Sequence, residues 1–477
     1  MPRDLVPGQS ALPEVSTPYD DLIPSVDDPS ARFYLEAIRL YLALFAGTVS
    51  LEDAKRVVEH LKENPEFAKS PTDPTVAPVN EHFMKKIIDN LKTLKKYNLH
   101  TSDSIKSAYS FAFLNDETPI NDRDLQVLSC LARSPLSTVN AIARTLEIAP
   151  KTVSSSLVRL KDQHAVRFSC LSDNTAFGIQ SVMLFFKLSE GVDWAAIETG
   201  MAGFPFTRSI LKTAVSDLGY VSLMFPGGEQ ELSVLRSSAS ALVGSVFDYV
   251  SLHVQSSMGA ESNLALLNNG TWSISEVIRQ PPEAAPVEKA GSTLHVLSCG
   301  GRRKEFQPLD FAVTSELRSD CRASPETVSQ SLRIKGWDVD TKQVISSTHR
   351  LIERRVILPY TVFAGIGLSG NFCFEVVCKP DWTERILSLM PLVPAALYFV
   401  SSRGVILWIQ VPSQHQVEYY QYFRSLEHKR GVESVLPIMT LVQKGSRSML
   451  DLARHWKRED DFWYVDTDDL DLASYLT

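Results

Sequence analysis

Apolar residues recur every three or four positions in the first quarter of the chain, which is the spacing of amphipathic helices. Ser50, followed by Glu52 and Asp53, is typical of a helix N-terminus. The pattern predicts a helical region over residues 31–115 that serves packing or dimerisation. Its two clearest apolar stripes are Phe33, Ala37, Leu40 and Leu44, and Phe83, Ile87, Leu91 and Leu94.

The most informative pattern is an internal repeat with a constant offset of 191 residues. In the first copy, the repeated stretch is the third of three short helical patterns. This order predicts a helix-turn-helix head, and the repeat predicts a second one. The aligned pairs are Lys151 and Lys342, Val153 and Val344, Ser155 and Ser346, Ser156 and Ser347, Arg159 and Arg350, and Leu160 and Leu351.

A second element follows each head. Gln180–Leu188 and Asn371–Lys379 alternate apolar and other residues, as strands do. Trp194 and Trp382 then begin a helix, and two strands, a second helix and a last strand follow. This order predicts a βαββαβ, or ferredoxin-like, unit in each half.

The predicted fold class is therefore α+β, with two winged helix-turn-helix domains, each followed by a ferredoxin-like domain, and an N-terminal helical region. The predicted segments are an acidic, Pro-rich disordered arm (1–30), the helical region (31–115), the first winged helix (116–178), the first ferredoxin-like domain (179–260), a linker (261–308), the second winged helix (309–366), the second ferredoxin-like domain (367–446) and an acidic C-terminal tail (447–477).

The third helix of the first head has two unlike sides. Val153, Leu157 and Leu160 are expected to face inward, and the opposite side is polar and basic without an acid. Such a face suits a major groove about 12 Å wide, where hydroxyls and cations meet base edges and phosphates. The predicted DNA-binding residues are Lys151, Thr152, Ser154, Ser155, Arg159 and Lys161.

The second head is the weaker candidate, because Asp338 and Asp340 lie beside its outer face and repel phosphate. Whether it contacts DNA or is only structural stays open. Because the two faces differ, an asymmetric operator is expected. The predicted DNA-binding residues of this head are Lys342, Gln343, Ser346, His349 and Arg350.

The net charge of −8 does not exclude DNA, because the acids are concentrated at the two ends. Residues 1–30 carry −5 and residues 459–477 carry −7, which leaves +4 for residues 31–458. Residues 121–170 carry +3 and residues 309–360 carry +1. This distribution favours double-stranded DNA as the partner of the first head.

Other classes of site have little support. The six cysteines form no CxxC pair and no histidines have zinc-finger spacing, so neither a metal nor another cofactor is expected. No apolar stretch reaches the roughly 20 residues of a membrane span, and the N-terminus has no apolar signal core. A cytoplasmic protein without a membrane partner is expected.

Three stretches resemble the leucine-responsive (Lrp/AsnC) transcription regulators: Asn121–Leu125 in the first helix of the first head, Ala149–Ser154 at the start of its third helix, and Ala165–Val166 before the wing. The resemblance covers residues 121–258 well and 309–444 more loosely. It implies a sequence-specific DNA-binding regulator whose ferredoxin-like domains pair through their sheets. With two copies in one chain, it implies a pseudo-dimer whose heads meet half-sites roughly 34 Å apart.

Two departures from that family concern its turns. Glu147 stands where the family usually has glycine. The Thr-Gly-x-x-Asp-like turn near the family's effector pocket is replaced by Ser216–Tyr220 and Ser401–Val405. Amino-acid sensing is therefore not expected, whereas another small-molecule effector at the ferredoxin-like domains, and a homodimer, stay open.

Two alternatives compete with the regulator. One is a protein-interaction adaptor with degenerate winged helices. The other is an enzyme, because siroheme decarboxylases share this layout and Val405–Gln410 is similar to one of their strands. The His and Arg or Tyr that those enzymes place just before this strand are absent at those positions, where this chain has Ala395–Val400 followed by Ser401. Arg208 is the residue of most catalytic interest, but no catalytic residue is assigned and the chain is predicted not to be an enzyme.

The C-terminus interleaves seven acids with aromatic residues such as Phe462 and Trp463. A solvated tail is one interpretation. The alternatives are a segment that contacts the transcription machinery or one that covers the basic DNA face and inhibits it.

Overall fold

A computed structural model gives the fold of the chain. It divides into two compact units, residues 1–116 and 117–477. The residues that it describes are 15–64, 81–99, 101, 104–105, 108–109, 120–213, 217–268, 270–279, 292–363, 365–368, 370–439, 441–459 and 462–476.

Parts of several predictions lie outside the described residues. These include residues 1–14 of the predicted arm, residues 65–80 and most of 100–115 in the helical region, residues 116–119 of the first winged helix, Ser216 in the first of the two turns, residues 280–291 of the linker, and the side chain of Phe83.

The first unit is helical. Asp28 caps its first helix by accepting a 2.7 Å hydrogen bond from the Ala31 amide. Residues 15–28, assigned above to a disordered arm, include a 3₁₀ turn at Asp20–Leu22 and pack Val15 and Tyr19 against the helices. The helices are α1 (Pro29–Ala46), α2 (Leu51–Leu61) and α3 (Glu81–Tyr97).

The second unit begins with a winged helix and a ferredoxin-like domain, in the predicted order. The winged helix consists of α4 (Asp122–Arg133), α5 (Val139–Leu146), α6 (Pro150–Asp162) and the wing strand β1 (Arg167–Ser172). The ferredoxin-like domain consists of β2 (Ile179–Leu188), α7 (Trp194–Gly203), β3 (Thr207–Thr213), β4 (Leu218–Pro226), α8 (Glu229–Ala241) and β5 (Phe247–Val254).

Strands occupy much of the segment that the sequence assigns to a linker. They are β6 (Ser257–Asn263), the short pair β7 (Leu267–Asn268) and β8 (Thr271–Trp272), and β9 (Ser292–Ser298). A 3₁₀ turn at Glu276–Arg279 contacts the second ferredoxin-like domain.

The second copy repeats the first. Its winged helix consists of α9 (Pro308–Ser319), α10 (Pro325–Ile334), α11 (Thr341–Glu353) and β10 (Ile357–Val362). Its ferredoxin-like domain consists of β11 (Gly370–Cys378), α12 (Pro380–Ser388), β12 (Ala395–Ser401), β13 (Gly404–Val411), α13 (Gln416–Arg424) and β14 (Val432–Met439). The predicted α+β class, with two such pairs of domains, is confirmed.

The two halves exchange strands. β6, which follows the first ferredoxin-like domain, pairs with edge strand β12 of the second. In return β15 (Leu441–Ser446), which follows the second domain, pairs with edge strand β3 of the first. The sheets therefore have the orders β15-β3-β4-β2-β5 and β14-β11-β13-β12-β6-β9. A chain in which each half completes the other's sheet is a covalent pseudo-dimer.

The two wing strands also pair. β1 and β10 form an antiparallel ladder in which Ser169 lies opposite Tyr360, its counterpart 191 positions later. The local pseudo-two-fold axis therefore passes through this pair. The heads are joined further by Arg322, whose Nη1 donates to the Ser137 carbonyl at 2.9 Å.

The inner faces of the two sheets pack on each other through a small apolar cluster that includes Phe185, Phe399 and Ile406. A fully buried polar pair crosses the same interface: His253 Nε2 lies 2.7 Å from Glu375 Oε1. Buried polar groups that hydrogen-bond across an interface fix the relative position of the two surfaces.

The C-terminal segment packs on α7 and α8 of the first half and on α9 of the second half. Leu470 and Leu472 are fully buried, and Ser238 on α8 donates a 2.6 Å hydrogen bond to Asp471. Trp463 packs its ring on Phe311 of α9, with the ring centroids 4.7 Å apart. The elements of this segment are α14 (Met449–Ala453), β16 (Lys457–Glu459), β17 (Phe462–Tyr464) and α15 (Ala473–Leu476).

Candidate functional site

The predicted DNA-binding face of α6 lies at the surface. Pro150 occupies its first helical position, where a missing N–H costs nothing. Val153 and Leu160 are buried as expected, and Ser156 is buried with them. Of the six residues predicted to contact DNA, Lys151, Ser154, Ser155 and Lys161 are exposed, and Thr152 and Arg159 are half-buried.

Arg159 is held by a partner that periodicity alone does not reveal. Its Nε and Nη2 donate to the two carboxylate oxygens of Asp124 on α4, at 2.8 and 2.7 Å. Burial would raise the pKa of Asp124, but hydrogen bonds from Arg159, Ser156 and Asn121 outweigh it and lower that pKa. This clamp ties the third helix of the head to the first.

The second head has an equivalent clamp, although Arg350 donates only one hydrogen bond to the aspartate. Arg350 Nη2 and Ser347 Oγ both donate to Asp310 Oδ1 on α9, at 2.5 and 2.6 Å. Asp124 and Asp310 are both fully buried. The aspartate of each clamp, Asp124 or Asp310, lies in the first turn of the first helix of its head. The sequence therefore contains a signal for both clamps.

The remaining predicted residues of the second head also lie at the surface. Lys342, Gln343, Ser346 and His349 are exposed, and Asp340 caps α11 by accepting a 2.7 Å hydrogen bond from the Gln343 amide. In the first head, Lys161 lies 3.6 Å from Asp320. The basic character of both faces is therefore partly offset by nearby acids.

A cavity of about 240 Å³ lies between the inner faces of the two sheets and the end of α9. Arg208 enters it from β3, where it is the extra residue of a β-bulge between Thr207 and Ser209. Bulges re-aim side chains and are frequent next to active sites. Arg318 enters it from the last turn of α9. We call this space the arginine cavity.

The two guanidinium groups repel each other. The charge of Arg318, together with burial, lowers the pKa of Arg208 to about 9, which still leaves it cationic at neutral pH. Within the described part of the chain, neither Arg208 nor Arg318 forms an ion pair with a carboxylate. The cavity therefore holds two half-buried positive charges, and the described residues supply no carboxylate to pair with them.

Neutral polar groups line the same cavity. Arg318 Nη1 donates to Ser172, Ser172 donates to Asn174, and Asn174 donates to Ser181, at 2.8, 3.0 and 2.8 Å. Gln255 is 8% exposed, and its Nε2 has no hydrogen-bond partner among the described residues. A buried donor without a partner is costly, so Gln255 indicates a missing acceptor in this space.

Tyr360, on the wing strand β10, lies close to both arginines. Burial raises the pKa of its phenol, and the positive charges of Arg318 and Arg208 oppose that rise only in part. At neutral pH the phenol is a neutral hydrogen-bond donor. Tyr360 therefore adds a neutral hydrogen-bond donor close to the guanidinium groups of Arg208 and Arg318.

The sequence points to one member of this site, Arg208, as the residue of most catalytic interest. Arg318, Gln255 and Tyr360 carry no local signal, because only the packing of the two halves brings them to Arg208.

Other kinds of site have no geometric support. Among the described residues, no group of three or more His, Cys, Asp and Glu side chains is placed to hold a metal ion. In the same part of the chain, no helix is both long and apolar enough to cross a membrane.

No family model and no curated protein matches the chain. Solved structures similar to it include two of one enzyme. The crystal structure of the siroheme decarboxylase NirDL is 10% identical, with a TM-score of 0.38 over 74% of this chain and 98% of that chain. NirDL in complex with an iron-uroporphyrin III analogue is 11% identical, with a TM-score of 0.36 over 67% of this chain and 91% of that chain.

These structures correct one expectation. Both similar structures are of an enzyme, so the expectation that this chain is not an enzyme is withdrawn. Since no family model matches, membership of the Lrp/AsnC family stays a prediction.

Proposed function

We propose that this chain binds a small organic anion, such as a carboxylate, in the arginine cavity between its two halves. The main support for this proposal is that Arg208 and Arg318 line the same cavity and repel each other. Among the described residues, no carboxylate pairs with either of them. Two enclosed like charges repel strongly in a low-dielectric space. A bound anion offsets that repulsion and supplies the acceptors that the cavity lacks.

The donor set suits a carboxylate or phosphate oxygen. Guanidinium groups bind such oxygens in a planar, two-pronged geometry. The unpaired Gln255 amide adds a neutral donor in this cavity, and the Tyr360 phenol lies close to both arginines. The proposal covers both a sensor, in which the anion is an effector, and an enzyme, in which it is a substrate.

The direct test measures anion binding by thermal shift and calorimetry, with citrate, benzoate and phosphate as probes and chloride as the reference salt. Arg208→Gln and Arg318→Gln are expected to weaken binding about tenfold or more, since each removes a charged hydrogen bond. Arg236→Gln is the matched control, because Arg236 lies on the surface and pairs with Glu229. Equal binding by all four proteins would refute the proposal.

The enzyme alternative needs its own readout. Siroheme and the iron-uroporphyrin III analogue, named with the similar structures, are added to the purified protein, and absorbance and product mass are followed. Binding with loss of carbon dioxide that depends on Arg208 would establish a decarboxylase. Binding without loss of carbon dioxide would instead support a sensor, in which the anion is an effector.

A second candidate function is DNA binding by the first head. It is supported by the exposed side of α6, which presents Lys151, Ser154, Ser155 and Lys161. The C-terminal segment packs on α7, α8 and α9, and no described contact places it over this side of α6. DNA of an asymmetric sequence would then be the partner, and the anion would be its effector.

Gel shifts at low and high salt test this function. A DNA binder loses affinity steeply with salt, and Lys151→Ala and Lys161→Ala should each reduce the salt slope by about one. Ser155→Ala should change the preferred sequence instead. Arg159→Ala is expected to act through the clamp to Asp124 as well, so its binding is compared at matched folded fraction. If the protein causes no gel shift even at low salt, DNA binding is refuted, and the protein-interaction adaptor is the interpretation that remains for the winged helices.

A further inference from the structure

A second and larger cavity adjoins the arginine cavity. Its volume is about 440 Å³, and it lies over the same inner face of the second sheet, against β9 and the wing strand β10. Leu397 and Trp408, which are paired across β12 and β13, line both cavities. The two spaces therefore meet at these side chains.

Small residues create the second space. Ala260 on β6 and Ala395 on β12 lie on the same face of the sheet as Leu397, and both are more than nine-tenths buried. Larger side chains at these two positions would fill the gap between the sheet and β10. Trp408 is fixed beside them because its Nε1 donates to the Tyr220 hydroxyl at 2.9 Å.

The charge of this cavity differs from that of its neighbour. No lysine or arginine is among the residues that line it, and Glu261 lies at its edge. His295 uses Nε2 to contact the Ala132 carbonyl at 2.9 Å, and Gln410 donates to Asn371 at 3.2 Å. An anionic group is disfavoured here, while a flat apolar body meets Phe363, Leu397 and Trp408.

We infer that the ligand is amphipathic: an aromatic or polycyclic carboxylate, whose anionic group lies between Arg208 and Arg318 and whose apolar body lies in the second cavity. This inference rests on the proposed anion binding and names the class of molecule that the combined site takes. Tyr360 lines the second cavity and lies near both arginines, so it stands where the two parts of such a ligand join. Drug-sized ligands occupy pockets of about this combined size.

The test compares three probes by calorimetry and by quenching of tryptophan fluorescence: 1-pyrenecarboxylate, benzoate and the uncharged 1-pyrenemethanol. The wild-type protein should bind 1-pyrenecarboxylate about a hundredfold more tightly than benzoate, because the larger apolar body is buried. It should also prefer 1-pyrenecarboxylate to 1-pyrenemethanol by about tenfold, because the alcohol leaves the arginines unpaired.

The variant that isolates the second cavity is Ala395→Leu, which fills it. Binding of 1-pyrenecarboxylate should fall about tenfold or more, while benzoate binding stays within about twofold. Ala241→Leu on the exposed end of α8 is the matched control and should change neither. If Ala395→Leu fails to fold, Ala260→Val makes the same comparison with a smaller added volume.

The outcomes separate the two proposals. If benzoate binds and depends on Arg208, but 1-pyrenecarboxylate binds no better, anion binding stands and the amphipathic ligand is refuted. If both aromatic probes bind equally to the wild-type protein and to Ala395→Leu, the second cavity is not part of the site. If no anion binds, the proposed function itself fails.

Discussion

The two halves of the second unit agree in one arginine and differ in another. Arg159 and Arg350 occupy equivalent positions and both hold a buried aspartate. Arg318, in contrast, has no equivalent arginine. When the two helices are aligned so that Asp310 matches Asp124, Arg318 matches Ala132. β12 pairs with β13 without the bulge that presents Arg208 on β3. The two halves therefore share the clamp that joins the helices of each head. They differ in the arginines that face the cavity.

The difference shows how to separate arginines that stabilise the fold from arginines that serve a ligand. A paired guanidinium is compensated within the protein, so removing its partner leaves a buried group uncompensated. Two adjacent guanidinium groups without an acid raise the energy of the unliganded protein, and only a ligand relieves them. The two kinds of arginine should respond to mutation with opposite signs.

The largest effect is expected from the clamps. Asp310→Ala should lower the free energy of unfolding by about 3 kcal/mol, because it removes one partner of a buried charge pair. Asp124→Ala should have a similar effect, and urea denaturation measures both. The double variant Asp310→Leu with Arg350→Met should be less destabilised than Asp310→Ala alone. A loss under about 1 kcal/mol in both single variants would show that the clamps are not structural.

A smaller effect concerns the outer face of the first ferredoxin-like domain. A Cβ on Gly200 would collide with the Tyr475 carbonyl, so Gly200→Ala should displace α15 and cost about 1–2 kcal/mol. Limited proteolysis of the C-terminal segment measures the displacement. Gly203→Ala on the same helix is the control, since its Cβ would meet Tyr475 at an ordinary 3.7 Å. Equal proteolysis of the two variants would contradict the packing.

The cavity arginine should show the opposite sign. Arg208→Gln removes one of two mutually repelling charges and should raise the free energy of unfolding of the unliganded protein by about 1 kcal/mol. The same variant should lose the stabilisation that added citrate or benzoate gives to the wild-type protein. Denaturation with and without anion measures both quantities. A destabilised Arg208→Gln would mean that Arg208 has a structural partner.

The sequence predicts the helices and strands of the fold better than it predicts which strands pair and which side chains meet. The repeat and the period-two strands are local, so the two ferredoxin-like units follow from them. β6 and β15 pair with strands more than 100 residues away in the sequence, β9 extends the sheet by pairing with β6, and nothing local distinguishes these strands from linker. Arg159 lies on the polar side of α6 by its period, yet the decisive contact is with Asp124, 35 residues earlier. The arginine cavity depends on contacts between halves, which no local pattern specifies.

The smallest effect is a pH dependence of the first clamp. The pKa of Asp124 is lower in the folded protein, because hydrogen bonds from Arg159, Ser156 and Asn121 outweigh its burial. A carboxyl of this kind contributes stability in full above its unfolded pKa of about 3.9, and the contribution disappears as the pH falls through the folded value. Asp124→Asn should therefore be less stable than the wild-type protein at pH 6, and the gap should narrow below about pH 4. Urea midpoints from pH 6 to pH 3 measure it; a constant gap would show that Asp124 contributes through shape and not through charge. The same series on Asp310→Asn then tests whether the two heads, alike in geometry, are also alike in electrostatics.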